Sequence, residues 1–166
     1  MEATSRYIKT AILFALIWVA TYFWTSCGYR RPGGLDMAPT LPSDKFQWIL
    51  PKETGLEHLG NSDVVFFDYQ VVGVGAGSDR TAYVGRIMGM PGERVKMEKG
   101  EAFINGTKAE AGFVIGSVKT EESYEEFVVP RDTVWILMDN RKWGVRYDSR
   151  AHGPIGIGAI LAKVKK

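Results

Sequence analysis

The chain has one cysteine, two histidines and almost no excess of either charge, and each shortage closes off a class of chemistry. Cys27 alone permits neither an intrachain disulfide nor a cysteine-based metal cluster. His58 and His152 lie far apart with no ligand spacing around either, so no metal site is expected, and no motif calls for a cofactor. With 21 Lys/Arg against 19 Asp/Glu the net charge is +2, both signs are interspersed, and the basic stripe that nucleic-acid binding requires is missing. Internal repeats are absent, and apolar runs long enough to enter a bilayer are limited to one.

That run lies near the N-terminus. Residues 8–29 carry Lys9 as their single charge and reach the roughly 20 residues that hydrocarbon demands. Tyr22 and Trp24 suit an interfacial aromatic belt. A cleaved secretory signal would have a shorter apolar core and small residues at the cut. A lipoprotein signal would modify Cys27, but Trp24 occupies a position that favours an aliphatic side chain. A buried core helix would need other helices around it, and the remaining sequence offers none. The reading is therefore an uncleaved anchor over 8–29, with a short segment 1–7 before it and one domain over 30–166 after it. Arg6 and Lys9 on one side and Arg30 and Arg31 on the other leave charge alone unable to orient it.

At 166 residues, one compact domain plus this anchor is the natural count. The 19 glycines and the short β-branched and aromatic runs predict an all-β, coiled antiparallel domain. Strands are expected at Lys45–Leu50, Asp63–Gln70, Thr81–Met88, across Arg94–Lys108 with turns at Lys99-Gly100 and Asn105-Gly106, at Thr133–Met138 and at Ile160–Val164. Residues 109–126 read as a long acidic surface loop, and the stretch after Met138 reads as loop through Pro154.

Three segments in order carry a resemblance. Asp36-Met37-Ala38-Pro39-Thr40-Leu41 resembles the Ser-Met-x-Pro-Thr-Leu segment of type I signal peptidases. Val84-Gly85-Arg86-Ile87-Met88-Gly89-Met90-Pro91-Gly92-Glu93 resembles their Lys-Arg-Val-x-Gly-x-Pro-Gly-Asp. Met138-Asp139-Asn140-Arg141, with Asp148-Ser149-Arg150 and Gly153, resembles their Gly-Asp-Asn-Arg and Asp-Ser-Arg. Gly89, Pro91, Gly92, Asp139, Asn140, Arg141, Asp148, Ser149 and Arg150 are thus the motif's structural residues. The resemblance implies the family's coiled β-fold and a membrane anchor, and it orients that anchor, with 1–7 cytoplasmic and the domain over 30–166 extracytoplasmic.

In that family a serine attacks the scissile carbonyl and a buried, neutral lysine takes its proton. Here the nucleophile position falls on Asp36, which has no hydroxyl, and the base position on Gly85, which has no side chain. The third segment departs as well: Met138 stands for glycine, and Lys142–Tyr147 is a longer insert than the family pattern carries before its aspartate. Asp-Met-x-Pro with Val-Gly-Arg-Ile resembles the catalytically inactive signal-peptidase-like proteins of Gram-positive pilus operons. That resemblance implies an assembly role with pilin subunits, and a sortase as a further partner, at the cell membrane. Met37, Pro39, Val84, Arg86 and Met88 would line a retained peptide groove. Ordinary core packing is the competing reading for Val84, Met88 and Met90, and a solvated loop acid for Asp36. Two other functions compete with this one: an active peptidase using unfamiliar chemistry, with Asp148 as the partner carboxylate, and an anchored β-module with no groove.

Overall fold

The computed structural model describes residues 2–26, 29–30, 37–42, 47–50, 58–68, 82–109 and 121–165. It opens with helix α1 (Glu2–Ser26), along which Ile8, Ile12, Leu13, Phe14, Leu16, Ile17, Trp18 and Val19 are all exposed. Among the described residues no helix is long and apolar enough to cross a membrane. The helix takes in most of 1–7, and Tyr29 belongs instead to strand β1 (Tyr29–Arg30), which pairs with β2 (Gln47–Leu50).

The rest is mostly β, as the composition predicts. A seven-stranded antiparallel sheet runs β1-β2-β11-β3-β4-β9-β10, in which β3 is Val64–Asp68, β4 is Ala82–Gly89, β9 is Thr133–Leu137, β10 is Ile155–Gly156 and β11 is Ile160–Val164. A four-stranded sheet runs β7-β6-β5-β8, with β5 at Arg94–Glu98, β6 at Glu101–Ile104, β7 at Thr107–Lys108 and β8 at Tyr124–Val128. Lys99-Gly100 and Asn105-Gly106 are the hairpin turns, each with two consecutive positive φ angles, the geometry that matches strand twist. Between β4 and β5, Pro91 and Gly92 make the tight connection; Glu93 N–H donates to Met90 O at 3.0 Å and Gly92 takes φ +84°.

Both faces of the larger sheet are covered. Val65 and Phe67 of β3 pack with Ile87, Ile136 and Ile160 on one side. On the other, Val64 and Phe66 pack with Met37, Ile49, Val84, Ala162 and Val164. A register shift between Ile160 and Ala162 sends these two residues of β11 to opposite faces. A third cluster, Met88, Val95, Met97, Trp135 and Leu137 among its members, joins the two sheets.

Two expectations are corrected here. The acidic stretch ending at Glu126 contains the start of a strand: in β8, Tyr124 and Phe127 turn inward onto Trp135, with ring centroids 6.3 and 4.7 Å away, while the glutamates face out. The loop after Met138 contains two single-turn helices, α2 (Arg141–Gly144) and α3 (Ser149–His152). Their caps are side chains: Asn140 Oδ1 accepts from Trp143 N–H at 3.2 Å, and Asp148 Oδ1 accepts from Arg150 N–H at 3.0 Å.

Candidate functional site

Asp36 lies outside the described residues. Its neighbour Met37 is buried, and the Met37 sulfur accepts a 3.5 Å hydrogen bond from the backbone N–H of Asp139. The segment that carries Met37 is thereby tied to the third motif. The Ala38–Pro39 peptide is cis, and Pro39 is exposed.

Gly85 sits in the middle of β4, opposite Val65 of β3. A Cβ built there would collide with Cγ2 of Ile136 and lie 3.2 Å from a ring carbon of Phe67 and 3.4 Å from the Leu137 carbonyl. The volume that a lysine stem would need is occupied by the packed core.

The expected groove is not formed by the residues named for it. Val84 is 0% exposed, and Met37 and Met88 are buried in separate core clusters. β4 is an interior strand, paired with β3 from Ala82 to Arg86 and with β9 from Arg86 to Gly89. Arg86 is buried too, and its guanidinium is fully engaged. Its Nε and Nη2 donate to the two oxygens of Asp139 at 2.9 and 2.6 Å, and Nη1 donates to Ser62 O at 2.9 Å. An arginine taken out of water needs such a bidentate partner. Of the five groove residues, only Pro39 faces solvent.

The third motif is an edge-closing device. Asp148, with no exposed surface, accepts from Met138 N–H at 3.1 Å through Oδ2 and from the Arg150 side chain through both oxygens. Ser149 Oγ accepts from Ile136 N–H at 2.9 Å. The two side chains satisfy backbone donors of β9 and its exit that no strand takes up. Asp148 is thus committed and has no free oxygen with which to activate water. Arg150 extends the network, donating to Arg141 O at 2.7 Å and to Glu122 at 3.0 Å. Burial works against its charge, but the bonds and charges of Asp148 and Glu122 outweigh that and hold its pKa above the ordinary value.

Arg141 is the exception. It is 2% exposed, and its Nε and Nη1 have no hydrogen-bond partner. Burial, and then the positive charge of Arg150, push it down to about 10. Lowering a cation's pKa in the folded state means that the charge destabilises the fold at neutral pH. The penalty lifts only as pH rises through about 10 toward the unfolded value. Arg141→Met should therefore stabilise the protein by about 1–3 kcal/mol, read as a higher denaturant midpoint at unchanged slope. The contact that Arg150 makes with residue 141 goes to the backbone and would survive the change.

The Asn140–Tyr147 stretch also forms a recess of about 410 Å³, lined by Asn140, Lys142, Trp143, Arg146 and Tyr147. No motif points to it.

The order of the three motifs points to the signal peptidases, and the match to a family model agrees. The family model "Signal peptidase, peptidase S26" matches residues 4–166, and the chain belongs to this family, whose members are membrane-associated. A signal peptidase I of Bacillus caldolyticus is 25% identical over 143 residues, spanning 79% of this chain and 73% of that protein. A crystal structure of a signal peptidase I from Enterococcus faecalis, at 21% identity, aligns over 66% of this chain and 97% of its own with a TM-score of 0.49.

Proposed function

We propose that this family member does not cut peptides, and that it assists pilin assembly at the cell surface by holding a pilin or its signal region. The observation that carries the loss of chemistry is the packing at Gly85. The base is absent, and the space for it is filled by Ile136 and Phe67. Asp36 brings no hydroxyl, and Asp148, the one carboxylate offered as a substitute partner, has both oxygens occupied. The pilus role rests on the motif resemblance, and pilin and sortase as partners rest on it too. Attachment to the bilayer through α1, with the β-domain outside the cell, is part of the same proposal. It is supported by the family's membrane association and by the row of exposed apolar side chains from Ile8 to Val19.

The test is a cleavage assay on the full chain with a secretory precursor. No processed product is expected. Product that vanishes in an Asp36→Ala variant would overturn the reading in favour of an active peptidase. A photocrosslinker at position 39, the exposed one of the five groove residues, should capture pilin during assembly. A β-module without a peptide site would capture none.

A further inference from the structure

The recess at Asn140–Tyr147 lies within the insert where the chain departs from the family pattern, and neither the absent dyad nor the edge-closing network uses it. Its walls are built, not incidental. Tyr147 stacks on Tyr83 with centroids 5.3 Å apart and planes 18° apart. Asn140 caps α2, and the Arg146 carbonyl lies 2.8 Å from a ring nitrogen of His152. Gly144 packs so closely on Met138 that a Cβ there would collide with it, which presses the insert against β9.

The electrostatics run one way. From Asp139 to His152 the chain carries Arg141, Lys142, Arg146 and Arg150 against Asp139 and Asp148. Both carboxylates are already taken, by Arg86 and by Arg150. Lys142 and Arg146, both exposed, make no ion pair among the described residues, and buried Arg141 beside Lys142 in sequence has two guanidinium nitrogens without a hydrogen-bond partner. The recess therefore pairs two free cations with an indole and a phenol ring.

We infer that this recess binds an acidic–apolar peptide segment of a partner protein, its carboxylate between Lys142 and Arg146 and its apolar neighbour against Trp143 and Tyr147. Charge complementarity selects the carboxylate. The aromatic walls select a ligand with an apolar body, which free phosphate lacks. The concavity favours an inserted side chain over a bilayer, because a fluid, nearly flat surface does not fill a recess of this size. The inference does not depend on whether the partner is a pilin.

Fluorescence anisotropy of the full chain in mild detergent tests it, with a labelled peptide of alternating Glu and Leu and its Gln-for-Glu twin. The acidic peptide should bind at least about tenfold more tightly, the ratio expected for a charge-assisted contact. The preference should fall as salt is raised to about 0.5 M. Lys142→Gln with Arg146→Gln should abolish the preference, and Trp143→Ala should weaken both peptides. Should the double variant unfold more easily, Lys142→Arg with Arg146→Lys must retain the preference. Equal affinity for the two peptides, a preference that survives the double variant, or a double variant that loses only binding to phosphatidylglycerol vesicles would each overturn the inference.

Discussion

Asp139→Leu is expected to destabilise the protein by about 3–5 kcal/mol, more than any other single substitution in the network around it. The carboxylate neutralises Arg86 through two short bonds, in a site where both side chains are buried. Its negative charge also opposes the depression of the Arg141 pKa. Removing it leaves the buried Arg86 guanidinium without its counter-charge and takes from Arg141 one of the two carboxylates acting on it, Asp148 being the other. Arg86→Met should cost less, because Arg141 retains two unpartnered donors near the same carboxylate and partly takes over. The double variant Arg86→Met with Asp139→Leu should recover much of the loss, since a well-packed apolar pair replaces a buried ionic one at little net cost. Denaturant unfolding of the four proteins forms a double-mutant cycle. If Asp139→Leu and Arg86→Met prove equally costly, Arg141 does not share the carboxylate.

How much of this was legible in the sequence depends on which contacts are local. The strand cores were, because Val64-Val65-Phe66-Phe67 and Val134-Trp135-Ile136-Leu137 have few alternatives to burial. The same runs held a clue that the groove reading passed over. A strand apolar at every position is covered on both faces. Residues 84, 86 and 88 share one face of β4, and in a sheet covered on both sides that face is core. Arg86 inside an apolar run should likewise have pointed to a buried partner, but the partner lies 53 residues on, and spacing alone does not reveal it. The single-turn helices are too short to show a period; only their caps, Asn140 and Asp148, signal them. In β8 the pair Glu125-Glu126 conceals an edge strand whose inward residues are aromatic. The basic recess leaves no trace as a motif, because it depends on how the insert folds against Tyr83 and Met138.

Rebuilding the dyad by Asp36→Ser with Gly85→Lys should yield no peptidase and a much less stable protein. Even the first carbon of the new side chain has nowhere to go. It meets the Ile136 methyl on one side and the Phe67 ring on the other, and β4 is held between two neighbours, so the backbone has little freedom to yield. Overpacking of a single group costs about 1–3 kcal/mol, and a lysine adds a buried amine with no identified partner, so a total loss above about 3 kcal/mol is expected. Gly85→Ala alone separates the two effects, since it carries the collision without the amine. Adding Ile136→Ala to the rebuilt dyad should recover part of the stability by clearing the space, and it is the only one of these variants in which cleavage of a secretory precursor is worth seeking. Cleavage by the two-residue variant with Ile136 intact would show that the site can open around a lysine, and that Asp36 and Gly85 alone keep the protein from cutting.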